Sequence, residues 1–134
     1  MKMIKSYKKG TNEKLAEFFS LKELHCHCKN KYCSYTLVDS DLIDKLMILR
    51  ENWKLPIPII SGYRCMVHNE KVRGKSGSFH MIGKAVDIDI SHLEKALGLN
   101  KIMEDCQIFD GLGYNKKHKF IHVDVRGYRV RFTY

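Results

Sequence analysis

What this chain lacks narrows its class before any motif is read. No apolar run approaches the ~20 residues a membrane-spanning helix requires, so no such helix is expected. No internal repeat or low-complexity tract interrupts the 134 residues, a length that suits one domain with its own core. The first ten residues, Met1 to Gly10, are basic and lack the apolar stretch of a secretory signal, so synthesis in the cytoplasm without a signal peptide is expected. The chain as a whole does not show the interleaving of basic and aromatic residues that a single-strand platform needs, so no specific nucleic-acid partner is expected. Acidic residues are in deficit: 15 Asp and Glu face 24 Lys and Arg, a formal charge of +9. Such a surface favours solubility and attracts polyanions, whether nucleic acid, lipid or an anionic cell wall, and charge does not choose among them.

Five cysteines cannot all pair with one another. With no export signal, free thiols or metal ligands are expected ahead of a disulfide framework. Cys26, Cys28 and Cys33 crowd one segment, and with His25 or His27 they could hold a second, structural zinc. The alternative is a loop of partly buried thiols able to pair under oxidation. A single residue between Cys26 and Cys28 is tighter than zinc knuckles usually allow, which weighs towards the loop. Cys65 and Cys106 have apolar neighbours and read as small buried hydrophobes.

Patterning divides the chain into a loose basic arm over residues 1–10 and one domain over 11–134. Leu15, Phe18 and Phe19 suggest a short helix over Asn12 to Leu24. A stronger helix runs from Ser40 to Trp53, capped by Asp39 or Ser40, with Leu42, Ile43, Leu46, Leu49 and Trp53 at helical spacing. Pro56 and Pro58 stop it and favour an extended Ile59-Ile60. Val86 to Ile90 alternates apolar and acidic residues as a half-buried strand does. Ser91 and Glu94 form a capping box opening a helix to about Glu104. Gly111 to Tyr114 and Phe120 to Arg126 read as strands around a basic turn, with a last strand near Arg129 to Tyr134. Helices with short, mostly antiparallel strands make an α+β domain.

The chemistry concentrates in Ser78-Phe79-His80-Met81-Ile82-Gly83-Lys84-Ala85-Val86-Asp87 and, far downstream, His122-Val123-Asp124. Period two puts Asp87 and Asp89 on one strand face, and His122, Asp124 and Arg126 on one face of another. If the two strands pair, Asp87 and His122 meet. Gly83, free to take positive φ, would fold His80 back towards them. Two imidazoles and a carboxylate suit zinc, and three protein ligands leave a fourth position for water, as in hydrolytic sites.

The ten-residue string resembles the Ser-x-His-x-x-Gly-x-Ala-x-Asp signature of zinc peptidases of bacterial cell walls. These are the D-alanyl-D-alanine carboxypeptidases and dipeptidases and the phage L-alanyl-D-glutamate endopeptidases, whose fold is shared with the Hedgehog signalling domain. Ser61-Gly62-Tyr63-Arg64 with His68-Asn69, and His122 to Gly127, resemble further family segments, so the likeness covers about Leu37 to Gly127. It implies a small, mostly antiparallel sheet with flanking helices and zinc on His80, Asp87 and His122. It also implies hydrolysis of a peptidoglycan stem-peptide amide, D-Ala-D-Ala or L-Ala-D-Glu, by a monomer on the anionic wall after phage-type release. Arg64 matches a substrate-contacting arginine, although an anchoring salt bridge serves equally as a reading.

The chain departs from the pattern at Lys119, where many members carry an acidic general base. Asp124 is the first replacement, either as base or as the group orienting a ligand histidine, and His118 is the second. The departure also allows a rival: a Hedgehog-like zinc module that binds wall or partner without turnover.

Overall fold

A computed structural model describes residues 3–134, and its first element corrects the expected loose arm. Ile4–Lys8 is a strand, β1, although Met1 and Lys2 lie outside the described residues. It pairs antiparallel with Tyr35–Asp39 in a register from Ile4 opposite Asp39 to Lys8 opposite Tyr35. The basic segment thereby satisfies the backbone groups that an open strand edge would leave unpaired.

The helix expected over Asn12 to Leu24 is replaced by Lys14–Ala16 (β2) and Phe19–Ser20 (β3), paired antiparallel, and a single turn, Leu21–Leu24 (α1). Burial explains the change. Phe19, Leu21 and Leu24 are buried whereas Phe18, in the turn between β2 and β3, is exposed, so the adjacent phenylalanines face different surroundings. Glu23 accepts the Ser20 backbone N–H at 2.8 Å and so closes the start of α1. After Tyr35–Asp39 (β4) comes Ser40–Trp53 (α2), with the limits and the buried stripe that its sequence predicts. The Asp39 carboxylate caps it, accepting the Asp41 N–H at 2.8 Å.

Beyond the two prolines lie Ile59–Ser61 (β5), Met66–Lys71 (α3), a 3₁₀ turn over Phe79–Ile82 and Ala85–Asp89 (β6). The helix expected from Ser91 to Glu104 breaks at Gly98 into Ser91–Leu97 (α4) and Leu99–Asp105 (α5). Its capping differs too. Ser91 is the first helical residue, and its N–H and hydroxyl both donate to the Asp89 carboxylate. Gly111–Asn115 (β7), Phe120–Asp124 (β8) and Val130–Thr133 (β9) complete the chain.

Five strands form one sheet in the order β5-β6-β8-β7-β9, antiparallel except for the β7–β9 pair. The core combines Leu42, Leu46, Leu49 and Trp53 of α2 with Val86, Ile88, Ile121 and Val123 of the central strands and Ile102 of α5. The chain is an α+β domain built on a small, mostly antiparallel sheet. Alternation then leaves Asp87, His122 and Asp124 on the sheet face turned away from that packing.

Candidate metal centre

The β6–β8 register sets Asp87 directly opposite His122 and Ala85 opposite Asp124, the juxtaposition the alternation predicts. His80 arrives from the 3₁₀ turn. Gly83, at φ +76°, ends that turn, and a side chain there would strike the Leu37 carbonyl, so only glycine suits the place. The Ser78 hydroxyl accepts the His80 N–H at 3.2 Å and steadies the turn. One donor atom each from His80, Asp87 and His122 lies within 4.8 Å of the others, and all three side chains are buried.

Each ring has a fixed orientation. His80 Nδ1 lies 2.8 Å from the Gly62 carbonyl oxygen. A carbonyl only accepts, so Nδ1 carries the hydrogen and the Nε2 lone pair points inward. That Nε2 is buried without a hydrogen bond, 3.3 Å from Asp87 Oδ1, an electron-rich atom facing another. His122 Nδ1 lies 3.2 Å from the same oxygen, while its Nε2 is 2.6 Å from Asp124 Oδ2. A tetrahedral ion with bonds of about 2.0–2.1 Å holds its donors about 3.4 Å apart, close to these separations. The orphaned lone pair and the spacing together fit a cation bound among the three residues, and the hard and borderline donors fit zinc.

Charge in the site is balanced in pairs. Burial pushes the Asp87 carboxyl up, but the His122 and His80 rings beside it outweigh that and hold the group well below the usual carboxylate range. Burial would likewise lower His122, and the Asp124 and Asp87 carboxylates outweigh that and raise it. Asp124 is also held low: burial is overcome by His122 and Arg126, whose Nε and terminal nitrogen both donate to it. Asp124 has no exposed surface at all, and a side chain at Gly111 would collide with its carboxylate. The carboxylate is thus seated in a slot that only a glycine neighbour leaves open.

Arg64 lies beside the ligands. Its guanidinium donates to Asp87 Oδ2 (3.1 Å), Ser61 Oγ (3.0 Å) and Asn69 Oδ1 (3.1 Å). Asn69 is buried, and its side-chain oxygen helps to aim the arginine. His118 is brought to no such contact: it is exposed in the β7–β8 turn, its backbone N–H donating to Asn115. Lys119 is exposed in the same turn and pairs with Glu94 at 3.2 Å. Sequence reasoning misses Phe132, whose ring lies 5.5 Å from that of His122. Its signal is the glycine between them: Gly113 is the register partner of both residues and leaves room for the ring.

A second donor group stands apart from the first. The sulfurs of Cys26, Cys28, Cys33 and Cys65 lie within 4.8 Å of one another. This corrects two expectations. Cys65 is half-buried among thiols rather than a core hydrophobe, and it takes the fourth place offered to His25 or His27. His25 instead turns its Nδ1 to the Cys26 carbonyl oxygen, 2.9 Å away. Cys106 is buried in the core as expected.

Compared with known proteins, residues 17–124 match the family model described as Peptidase M15. No curated protein matches the chain.

Proposed function

Since the chain belongs to the Peptidase M15 family, we propose that it is a zinc peptidase hydrolysing an amide bond in the stem peptides of peptidoglycan. The observation that carries this reading is the convergence of His80, Asp87 and His122, with a buried imidazole nitrogen left for a cation. Zinc bound there would supply Lewis acidity to the scissile carbonyl and acidify a water in its open position.

The chain's own residues do the rest. Asp124 fixes the His122 proton on Nε2 and so turns Nδ1 towards the ligand group, the usual carboxylate support of a metal-binding histidine. Its burial and its bonds to Arg126 support that orienting role over general base, because a base must reach water. Of the two groups offered for proton transfer this leaves His118, which is solvent-accessible in the β7–β8 turn but is brought against none of the donor residues, so it would have to act through water. Arg64 has three of its five N–H donors engaged, one of them holding Asp87; the remaining donors suit a substrate carboxylate or developing oxyanion. The excess of basic side chains favours residence on an anionic wall.

One observation favours a rival, non-catalytic zinc module: Lys119 occupies the position of the family's usual acid and is committed to Glu94. Incubation of the zinc-loaded protein with peptidoglycan or synthetic stem peptides separates the two. Release of new amino groups, abolished in Asp87→Ala, supports the peptidase. Binding without release, at full zinc occupancy, supports the module.

A further inference from the structure

We infer that Cys26, Cys28, Cys33 and Cys65 form a second metal site, a tetrathiolate centre for zinc or a similarly soft divalent ion, which ties the Cys-rich loop to the segment carrying Arg64. The inference is independent of the hydrolytic reading.

Geometry is the first ground. Cys65 Sγ lies 3.7 Å from Cys26 Sγ and 3.7 Å from Cys28 Sγ, and Cys33 completes the group within 4.8 Å. Zinc–sulfur bonds of about 2.3 Å in a regular tetrahedron place the sulfurs about 3.8 Å apart. The observed spacings match such an edge, and all four cysteines are free thiols.

The surroundings are the second ground. Metal thiolates are stabilised by N–H donors and nearby positive charge. The Cys65 backbone N–H donates to Cys26 Sγ at 3.4 Å, and the His68 N–H donates to Cys65 Sγ at 3.4 Å. The Lys9 ammonium donates to Cys28 Sγ at 3.4 Å and to the Cys28 carbonyl at 3.2 Å. A divalent ion with four thiolates carries two net negative charges, and Lys9 offsets one of them. Each thiol loses its proton to solvent as its bond to the metal forms, and no electron is transferred.

The chain path is the third ground. Residues 25–34 carry no helix or strand, so neither ladder nor helix holds the three loop cysteines in place. Across the cluster, the Tyr63 N–H donates to the Leu24 carbonyl and the Arg64 N–H to the His80 carbonyl. An ion on the four sulfurs therefore anchors the loop to the strip that presents Gly62 to His80 and Arg64 to Asp87. It is a structural centre in support of the first.

Cobalt(II) is the probe, added to the purified, reduced full-length chain. Wild type and Asp87→Ala should both show intense thiolate-to-cobalt charge-transfer and tetrahedral ligand-field bands, and Cys65→Ser should lose them. Zinc analysis should give about two ions per wild-type chain and about one in Asp87→Ala, as two separate four-coordinate sites require. Should Cys65→Ser fail to fold, the Asp87→Ala spectrum decides alone. Absence of thiolate bands in cobalt-saturated Asp87→Ala would overturn the inference, as would thiols equally reactive towards an alkylating reagent with and without zinc. A chain that shows the bands but releases no amino groups from peptidoglycan upholds this centre and removes only the peptidase reading.

Discussion

The two donor groups are assembled by opposite means. Asp87 and His122 face each other because β6 and β8 are in register, and each is buried in a sheet whose ladder fixes its backbone. The rings are then aimed by the Gly62 carbonyl and the Asp124 carboxylate, and Asp87 is held by Arg64. The four thiols have no such frame: three lie in an irregular loop and the fourth sits just before α3. The contrast teaches that the first centre is preorganised by the fold, while the second would help to make the fold. A metal seated on a rigid sheet contributes chemistry; a metal seated on loops contributes stability.

The largest effect should come from setting the two groups against each other. Asp87→Ala should reduce amine release from stem peptides to background while lowering the melting temperature by only a few degrees. Cys33→Ser should do the reverse, lowering the melting temperature by ~10 °C while the protein still folded at low temperature keeps its hydrolysis. Calorimetry paired with the peptide assay checks both, and equal thermal losses in the two variants would break the contrast. Next in size, His118→Ala should lower kcat by ~10²-fold, the lower end of general acid–base contributions, with zinc content unchanged. An unaltered kcat would return the proton-transfer role to another group. Asp124→Asn should act differently, weakening zinc affinity by ~10–100-fold as the loss of a histidine's carboxylate support does. Competition with a chromophoric chelator measures it; a lost kcat at full zinc occupancy would instead make Asp124 the base.

The same contrast explains what could be read from the residues alone. Asp87 opposite His122 was legible because alternation along a strand is a local rule, and two alternating segments need only pair for the donors to meet. The stripe of α2 was legible for the same reason, its period and its Asp39 cap lying within one segment. The thiol group was not, because Cys65 stands 32 positions beyond Cys33 and no periodic pattern connects one irregular loop to another. Phe18 and Phe19 misled because so brief a segment can be read either as one helical turn or as a tight hairpin; the burial of Phe19 against the exposure of Phe18 decides. Nor could Asp124 be assigned between base and support without its exposure, which is a property of the packed slot at Gly111 rather than of the strand.

The smallest effect sharpens the claim that the sheet holds itself. Asp89 follows Asp87 on the same face of β6, yet it serves α4 rather than the donor group, accepting the N–H and hydroxyl of Ser91. Those bonds, the hydroxyl's first and the amide's second, hold its carboxyl below the ordinary range. Asp89→Ala should therefore cost ~1 kcal/mol at pH 7, the usual worth of such a cap. A carboxylate with a depressed folded pKa stabilises above its unfolded value of about 3.9 and loses that contribution as pH falls through the folded value. The gap between wild type and variant should accordingly narrow below about pH 4 in denaturant titrations. Asp89→Asn, which keeps an acceptor but no charge, should show most of the stability at pH 7 and little of the pH dependence. The gap should also be the same with and without a zinc chelator, because the strand end is fixed by its own carboxylate; a cap that vanished on chelation would show that β6 depends on metal after all.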